Sequence, residues 1–459
     1  MKWILVILLS VGTKICACEA VAQDEKIKGV PFAHYGTEKM IYDLRMGPQA
    51  LLYEDVIYIV YQADRNKNIG NPHIISYDTK GEKWSESVQV GTVPKYDHHY
   101  APILWLDHDR YFHILYQCHG GGGIHLVSED RESITSWKES KAITTSISYP
   151  KIVPVSNRRI MLYHRVFGHT GYWTYLLSDD GGYTWERPSK PVVDFDQNPQ
   201  QALDPWAGTY HSVRADAKGE KLHIGFVYKD DSDKPNPRYQ SSLGKDKRYN
   251  LYYLRLNVDT GNIYTIKGEK LDVPLTRAAA EQCKVLDSEY RITNMPSIEF
   301  DDEGYPAFLL PVSESKPTDC MFYFIKRAGT EWEKTPVVRT NSIWSGSYLK
   351  RTAPACWIAF LVVGGNDREV PVYGGGELQE WVSNDDGQTW QMKRKLNPEP
   401  GLLYNNPTPV VTPDGKTVDK WLVFYGWEGP RSIQENIRAN ETEVHNRGRA
   451  FLWYDGEYR

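Results

Sequence analysis

Short alternations of apolar and polar residues, rather than helical spacing, run through nearly the whole chain. Tyr149 to Val155 and Arg159 to Arg165 each alternate with period two, and Ser156-Asn157-Arg158 supplies a turn between them. Period two sends successive side chains to opposite faces, so each such pair predicts two antiparallel strands with one buried face. No long amphipathic helix is evident. Units of this kind begin near Pro48, His99, Tyr149, Tyr210, Asn294, Ser345 and Asn406, and two further strands follow in most of them. Seven repeats of a four-stranded antiparallel meander predict an all-β chain folded as a seven-bladed β-propeller. The last unit has Asn406 to Thr412, Lys420 to Tyr425 and Arg449 to Tyr454 but no fourth strand. The alternating stretch Glu38 to Leu44 is expected to supply it, closing the ring between the two ends of the chain.

A motif marks the outer turns of these units. Ser178-Asp179-Asp180-Gly181-Gly182-Tyr183-Thr184-Trp185 and Ser383-Asn384-Asp385-Asp386-Gly387-Gln388-Thr389-Trp390 are two full copies of the Asp-box, S-x-D-x-G-x-x-W. Degenerate copies surround Asp78 and Trp84, Asp130 and Trp137, Gly261 and Tyr264, and Gly329 and Trp332. The Asp and Gly close a tight hairpin while the Trp packs between sheets, so the motif shapes the fold and carries no chemistry of its own.

The first residues read as a targeting segment. Lys2 precedes the apolar run Ile4 to Leu9, which is too short to span a bilayer in the mature chain. Residues 1–22 are therefore expected to be a signal peptide, and 23–459 a single catalytic domain. Ala20-Val21-Ala22 offers a small-x-small cleavage site, whereas Ile15-Cys16-Ala17-Cys18 resembles a lipoprotein box. Both predict export, either secreted or periplasmic or lipid-anchored through Cys18 at a bacterial outer membrane. Cys118, Cys283, Cys320 and Cys356 remain beyond the leader, too few for a disulfide scaffold in a chain of 459 residues.

Composition narrows the partner. With 54 Lys and Arg against 59 Asp and Glu, the net charge of -5 argues against nucleic acid. Fifteen Trp and 31 Tyr accompany only 12 Phe, a bias towards rings with a polar edge that suits sheet surfaces and sugar-facing clefts. The mature chain is expected to be monomeric, without a transmembrane span, and to meet an anionic polysaccharide.

Topology then gathers candidate chemistry. The start of each inner strand and the end of the next lie on one face, so His99, His119, Tyr149 and Arg165 converge there, bordered by His98, His164 and Tyr210. β-Elimination at a uronic acid needs the C5 proton removed beside a carboxylate, with the developing enolate charge offset by a cation or donors. Imidazole and phenol suit the proton transfers, and a guanidinium suits the charge. No organic cofactor is needed.

The D-x-H-x-x-P stretch around His99, the second histidine His119, and the pair Tyr149 and Arg165 resemble the pattern of the seven-bladed propeller ulvan lyases with BNR-type repeats. The resemblance covers nearly all the mature chain. It implies that His99 is the general base, Tyr149 the proton donor or combined acid and base, Arg165 the carboxylate neutraliser and His119 a supporting donor. Which of His99 and Tyr149 takes the proton depends on the uronate epimer bound. It also implies a structural zinc, for which topology nominates His169, His211, Cys283 and Cys320; a Cys283-Cys320 disulfide is the alternative. Two other functions compete. A sialidase-like hydrolase would need a Tyr-Glu nucleophile pair and an arginine triad, of which the N-terminal unit offers only Arg45. A non-catalytic glycan-binding propeller would use Trp105, Trp173, Trp206 or Trp427 as sugar platforms.

Overall fold

The computed structural model describes residues 29–459 apart from 65–68, 157, 169–170, 196–206, 231, 365–372 and 429–446. The expected leader, 1–22, lies outside the described residues, as do His169 and Trp206. The chain is all-β, with one short α-helix among the described residues, at Arg277–Ala280. No helix among the described residues is long and apolar enough to cross a membrane.

The strands pair as antiparallel meanders. Ile103–Leu106, Phe112–Tyr116, Ile124–Ser128 and Trp137–Glu139 form one four-stranded sheet in chain order. Ser148–Pro154, Ile160–Arg165 and Trp173–Ser178 form a three-stranded one. Ala207–Ala215, Lys221–Asp230 and Arg248–Asn257 lead a third, extended by short strands. Two further four-stranded sheets span Ser297–Thr340 and Ser347–Lys395. The largest sheet contains both the first and the last meanders, joined by a parallel bridge between Leu51 and Val411 and by Ala33–Gly36, which pairs with a strand of each. Apolar side chains fill the spaces between sheets; Leu309, Phe322, Phe324, Leu349, Trp357 and Leu361, for example, make one such cluster.

Both full Asp-boxes adopt the expected turn. Asp180 Oδ1 accepts the backbone N–H groups of Tyr183 at 3.0 Å and Thr184 at 2.9 Å, and Trp185 Nε1 donates to the Gly182 carbonyl at 2.9 Å. Asp385 and Trp390 repeat this around Gly387. Gly387 has φ +83°, and a Cβ there would lie 2.1 Å from the Phe324 ring, so both backbone and packing require glycine.

The N-terminal segment departs from expectation. The strand that pairs with Gly448–Tyr454 is Ala33–Gly36, not Glu38 to Leu44. Residues 37–46 instead run buried: Thr37, Ile41 and Tyr42 are fully buried, as are Lys39 and Arg45 apart from a few per cent. Their backbone is satisfied without a ladder. Tyr42 N–H donates to Gln49 Oε1 at 2.7 Å, and the Ile41 carbonyl accepts from Asn406 Nδ2 at 2.9 Å. The apolar-polar alternation there reflects burial on both sides, apolar residues in the core and charged ones around the site described below.

Buried histidines pack against one another within the sheet that runs from Ile103 to Glu139. His113 Nδ1 lies 2.9 Å from His125 Nε2, His113 Nε2 lies 3.1 Å from Asp107 Oδ2, and Trp105 stacks on both rings. Burial and the neighbouring His113 push His125 down to about 3; burial also lowers His113. Burial likewise holds His164 and His223 at about 4. The unfolded chain therefore binds protons that the folded chain refuses. Stability from these groups is complete above about pH 6.5 and is lost as pH falls from there towards 4 and below, by on the order of a few kcal/mol. The unfolding temperature is expected to be flat above pH 7 and to fall steadily below pH 6.5. An unchanged melting temperature between pH 7 and 4.5 would contradict this account of the core.

Candidate active site

Asp97 organises the histidines. Its side chain caps the tight His98–Tyr100 turn by accepting the His99 backbone N–H at 2.9 Å. The same carboxylate then takes one imidazole on each oxygen: His99 Nδ1 at 2.7 Å on Oδ1 and His119 Nδ1 at 2.6 Å on Oδ2. Because a carboxylate can only accept here, both Nδ1 atoms carry protons, and each Nε2 is left clear of the carboxylate. The rings stack with centroids 4.0 Å apart. The His99 side chain is 17% exposed and that of His119 34%, so this is the side open to a ligand.

Tyr149 faces His99 edge-on, with ring centroids 5.5 Å apart. It sits at φ +56°, and the pairing of its strand with Ile160–Arg165 shifts register between Ser148 and Lys151. Pro150 has no N–H for a ladder, which lets the strand bulge here and re-aim the tyrosine. Asn406-Pro407 repeats the device on another inner strand, with Asn406 at φ +50° and a register shift beside it. Asparagine tolerates that conformation; tyrosine is strained in it, and strain of this kind concentrates at functional positions.

Arginines surround the phenol. The guanidinium carbons of Arg165 and Arg45 both lie 4.8 Å from the Tyr149 ring centroid. Arg45 is clamped by Asp43 through Nε at 2.7 Å and Nη2 at 2.5 Å, and also donates to the Tyr42 hydroxyl at 3.1 Å. Arg165 is 1% exposed, and its Nε and Nη1 have no partner among the described residues. Tyr210 shares hydrogen bonds with Tyr149 and with Arg165.

The charges follow from these contacts. Burial pushes His99 down to about 3, only partly opposed by its bond to Asp97, so its ring is neutral near pH 7. Although burial opposes it, hydrogen bonds from His119 and His99 hold the Asp97 carboxyl far below the usual carboxylate range. Burial and Tyr210 raise Tyr149 well above an ordinary phenol, against the pull of Arg165 and Arg45, so it keeps its proton. A neutral base, a protonated acid and a guanidinium without a carboxylate partner among the described residues thus meet at one spot.

His99, His119, Tyr149, Arg165 and Tyr210 come together as the sequence predicts. His98 borders them, its ring tilted against that of His99 with centroids 4.0 Å apart, but it is 5% exposed and edge-on to Tyr373. His164 does not join. Adjacent to Arg165 in one strand, it points to the opposite face, where it is 1% exposed and feels Arg187.

Among the described residues, His211, Cys283 and Cys320 are not gathered around one point. His211 has both nitrogens taken, Nδ1 by the Tyr163 hydroxyl at 2.8 Å and Nε2 by that of Thr209 at 2.9 Å. Cys283 and Cys320 are buried. Both thiols are free, so the alternative disulfide is not formed either. His169 lies outside the described residues. Among the described residues the one group with ligand atoms close enough to share a cation is Asp97, His99 and His119, whose Nδ1 atoms already bond the carboxylate.

Sequence reasoning missed Arg45 as a site residue, and Arg248, whose guanidinium lies 4.3 Å from the Tyr210 ring. Arg45 comes from the buried N-terminal segment and Arg248 from the start of a strand in the next sheet; no local spacing connects them with Tyr149.

The model of the BNR repeat-containing family matches residues 56–340. An "Ulvan lyase" of Alteromonas sp. (strain LOR) is 24% identical over 286 residues, 56% of each chain. An "Ulvan lyase" of Nonlabens ulvanivorans is 21% identical over 377 residues, 76% of each. The chain thus spans little more than half the length of the first of these relatives. A solved polysaccharide lyase, a PL25 ulvan lyase bound to -[GlcA(1-4)Rha3S]-, superposes with a TM-score of 0.76 at 18% identity, covering 93% of this chain and 96% of that one. That likeness is one of fold.

Proposed function

The chain belongs to the BNR repeat-containing family, and on that premise we propose that it is a polysaccharide lyase cleaving a uronate-containing, sulfated, ulvan-like polymer by β-elimination. The observation that carries this reading is Asp97 holding His99 and His119 by their Nδ1 atoms beside a protonated Tyr149 and an Arg165 whose Nε and Nη1 have no partner among the described residues. The ulvan lyase names of the relatives support it. We read the meanders as seven propeller blades, the last completed by Ala33–Gly36, with the site at one mouth of the ring.

In this reading the substrate carboxylate faces Arg165. His99 Nε2 removes the C5 proton, the freed electron pair forms the C4–C5 double bond, and the C4–O bond breaks. Tyr149 hands its proton to the departing oxygen. The imidazolium formed on His99 is stabilised by Asp97 at 2.7 Å, which offsets part of the low basicity that burial imposes on the ring. His119 is a supporting donor held by the same carboxylate. Proton exchange with water resets His99 and Tyr149.

The competing functions fare less well. Arg45, Arg165 and Arg248 do converge, which the sequence concealed, but Arg45 is committed to Asp43 and no glutamate partners Tyr149 among the described residues. A sialidase-like triad and nucleophile pair are therefore not assembled. Trp105, Trp173 and Trp427 are 3%, 1% and 5% exposed and pack inside, so they offer no sugar platform.

Incubation with a panel of uronic-acid polysaccharides tests the proposal. The expected product is an unsaturated uronyl end, seen as ultraviolet absorbance; saturated reducing ends alone would overturn it. On the polymer that is cleaved, Arg165→Ala is expected to lower turnover roughly 10²-fold, by analogy with the loss of one oxyanion donor. Lys at that position should rescue poorly because it lacks the planar fork. Near-normal turnover in a folded Arg165→Ala variant would remove the neutralising role.

A further inference from the structure

Arg248 is a buried cation that the lyase chemistry above does not use. It is 2% exposed, and its guanidinium carbon lies 4.3 Å from the ring centroids of both Tyr210 and Trp344, which sandwich it. Nη1 donates to Asn294 Oδ1 at 2.6 Å, and Nε has no partner among the described residues. The nearest acidic influence is Asp246, whose carboxylate accepts the Trp344 indole N–H at 2.7 Å. Arg165, on the same Tyr210 ring at 5.2 Å, has two unpartnered nitrogens. Arg45, by contrast, has a counter-ion in Asp43.

Burying a guanidinium without a counter-charge is costly, and leaving its N–H groups unbonded adds to the cost. Two such cations on one tyrosine ring make sense if an anion enters between or beside them. Aromatic faces fix the guanidinium planes and leave their edges to bond a ligand. The geometry points to Arg248 as the second arm of an anion seat shared with Arg165, taking a sugar-borne oxyanion, either a carboxylate or a sulfate ester. The identity of the ligand rests on the lyase reading; the existence of the seat does not.

Thermal unfolding of the whole chain tests it without turnover. At matched ionic strength, sodium glucuronate and a monosulfated neutral hexoside are each compared with chloride. At a ligand concentration about a hundredfold above Kd, the wild-type melting temperature is expected to rise by about 3 °C. Glucuronate alone producing the rise assigns the seat to the carboxylate, the sulfated sugar alone assigns it to a sulfate ester, and both assign it to either. Arg248→Met should abolish the rise. If that variant does not fold, Arg248→Lys decides, with an expected loss of at least about tenfold in affinity because one point charge replaces the fork. A folded variant that keeps the full wild-type response, or a wild type that answers to neither anion, overturns the seat. Binding without any lyase activity would overturn the proposed reaction and leave the seat standing.

Discussion

Asp97→Asn is expected to lower turnover by on the order of 10³–10⁴-fold, the scale seen when the orienting carboxylate of a histidine base is made an amide. One carboxylate fixes two imidazoles here, through Oδ1 to His99 and Oδ2 to His119. An amide offers one acceptor and one donor in place of two acceptors. The ring facing the NH₂ must turn its Nδ1 lone pair inwards, moving its proton to Nε2, where a base would be blocked. The Asn variant also withdraws the negative charge that stabilises imidazolium on His99. The loss should fall on kcat more than on KM, because Asp97 touches the histidines and not the sugar. His99→Ala, which removes the base itself, should cost roughly 10²–10⁴-fold. Measuring kcat and KM for both variants on the cleaved polymer checks this; an Asp97→Asn enzyme with near-normal kcat would show that His99 does not act as the base.

The periodic features of this chain were open to sequence reasoning because they are local. Period-two alternation gave the strands, and the Asp-boxes at Asp180 and Asp385 form the turns their spacing demands. His99, His119, Tyr149 and Arg165 could be placed together because strand direction alone decides which strand ends share a face. Arg45 and Arg248 could not, since each reaches Tyr210 from a separate part of the chain and only the packed structure measures those distances, 5.4 and 4.3 Å. The stretch 37–46 misled for a related reason: alternation reports that two sides differ, and a segment threaded between the core and a polar site alternates as a strand does. His164 shows the limit within a strand. Convergence of a strand end is not enough when the neighbouring position already owns the inward face.

Tyr149→Phe separates the two ways of assigning the proton transfers. Burial keeps this phenol protonated and the His99 ring neutral, which makes Tyr149 the donor to the leaving oxygen and His99 the base. Removing the hydroxyl should then cost roughly 10²–10⁴-fold on the polysaccharide, whose leaving alkoxide needs a proton as the C4–O bond breaks. The strained backbone at φ +56° and the cations at 4.8 Å stay in place, since phenylalanine keeps the ring. A uronoside carrying an acidic phenol at O4 needs little protonation to depart, so on that substrate the deficit of Tyr149→Phe should shrink by at least about tenfold while that of His99→Ala persists. If Tyr149 were instead the base, the C5 proton would still need it whatever the leaving group. An equal deficit on both substrates would therefore move proton abstraction from His99 to Tyr149.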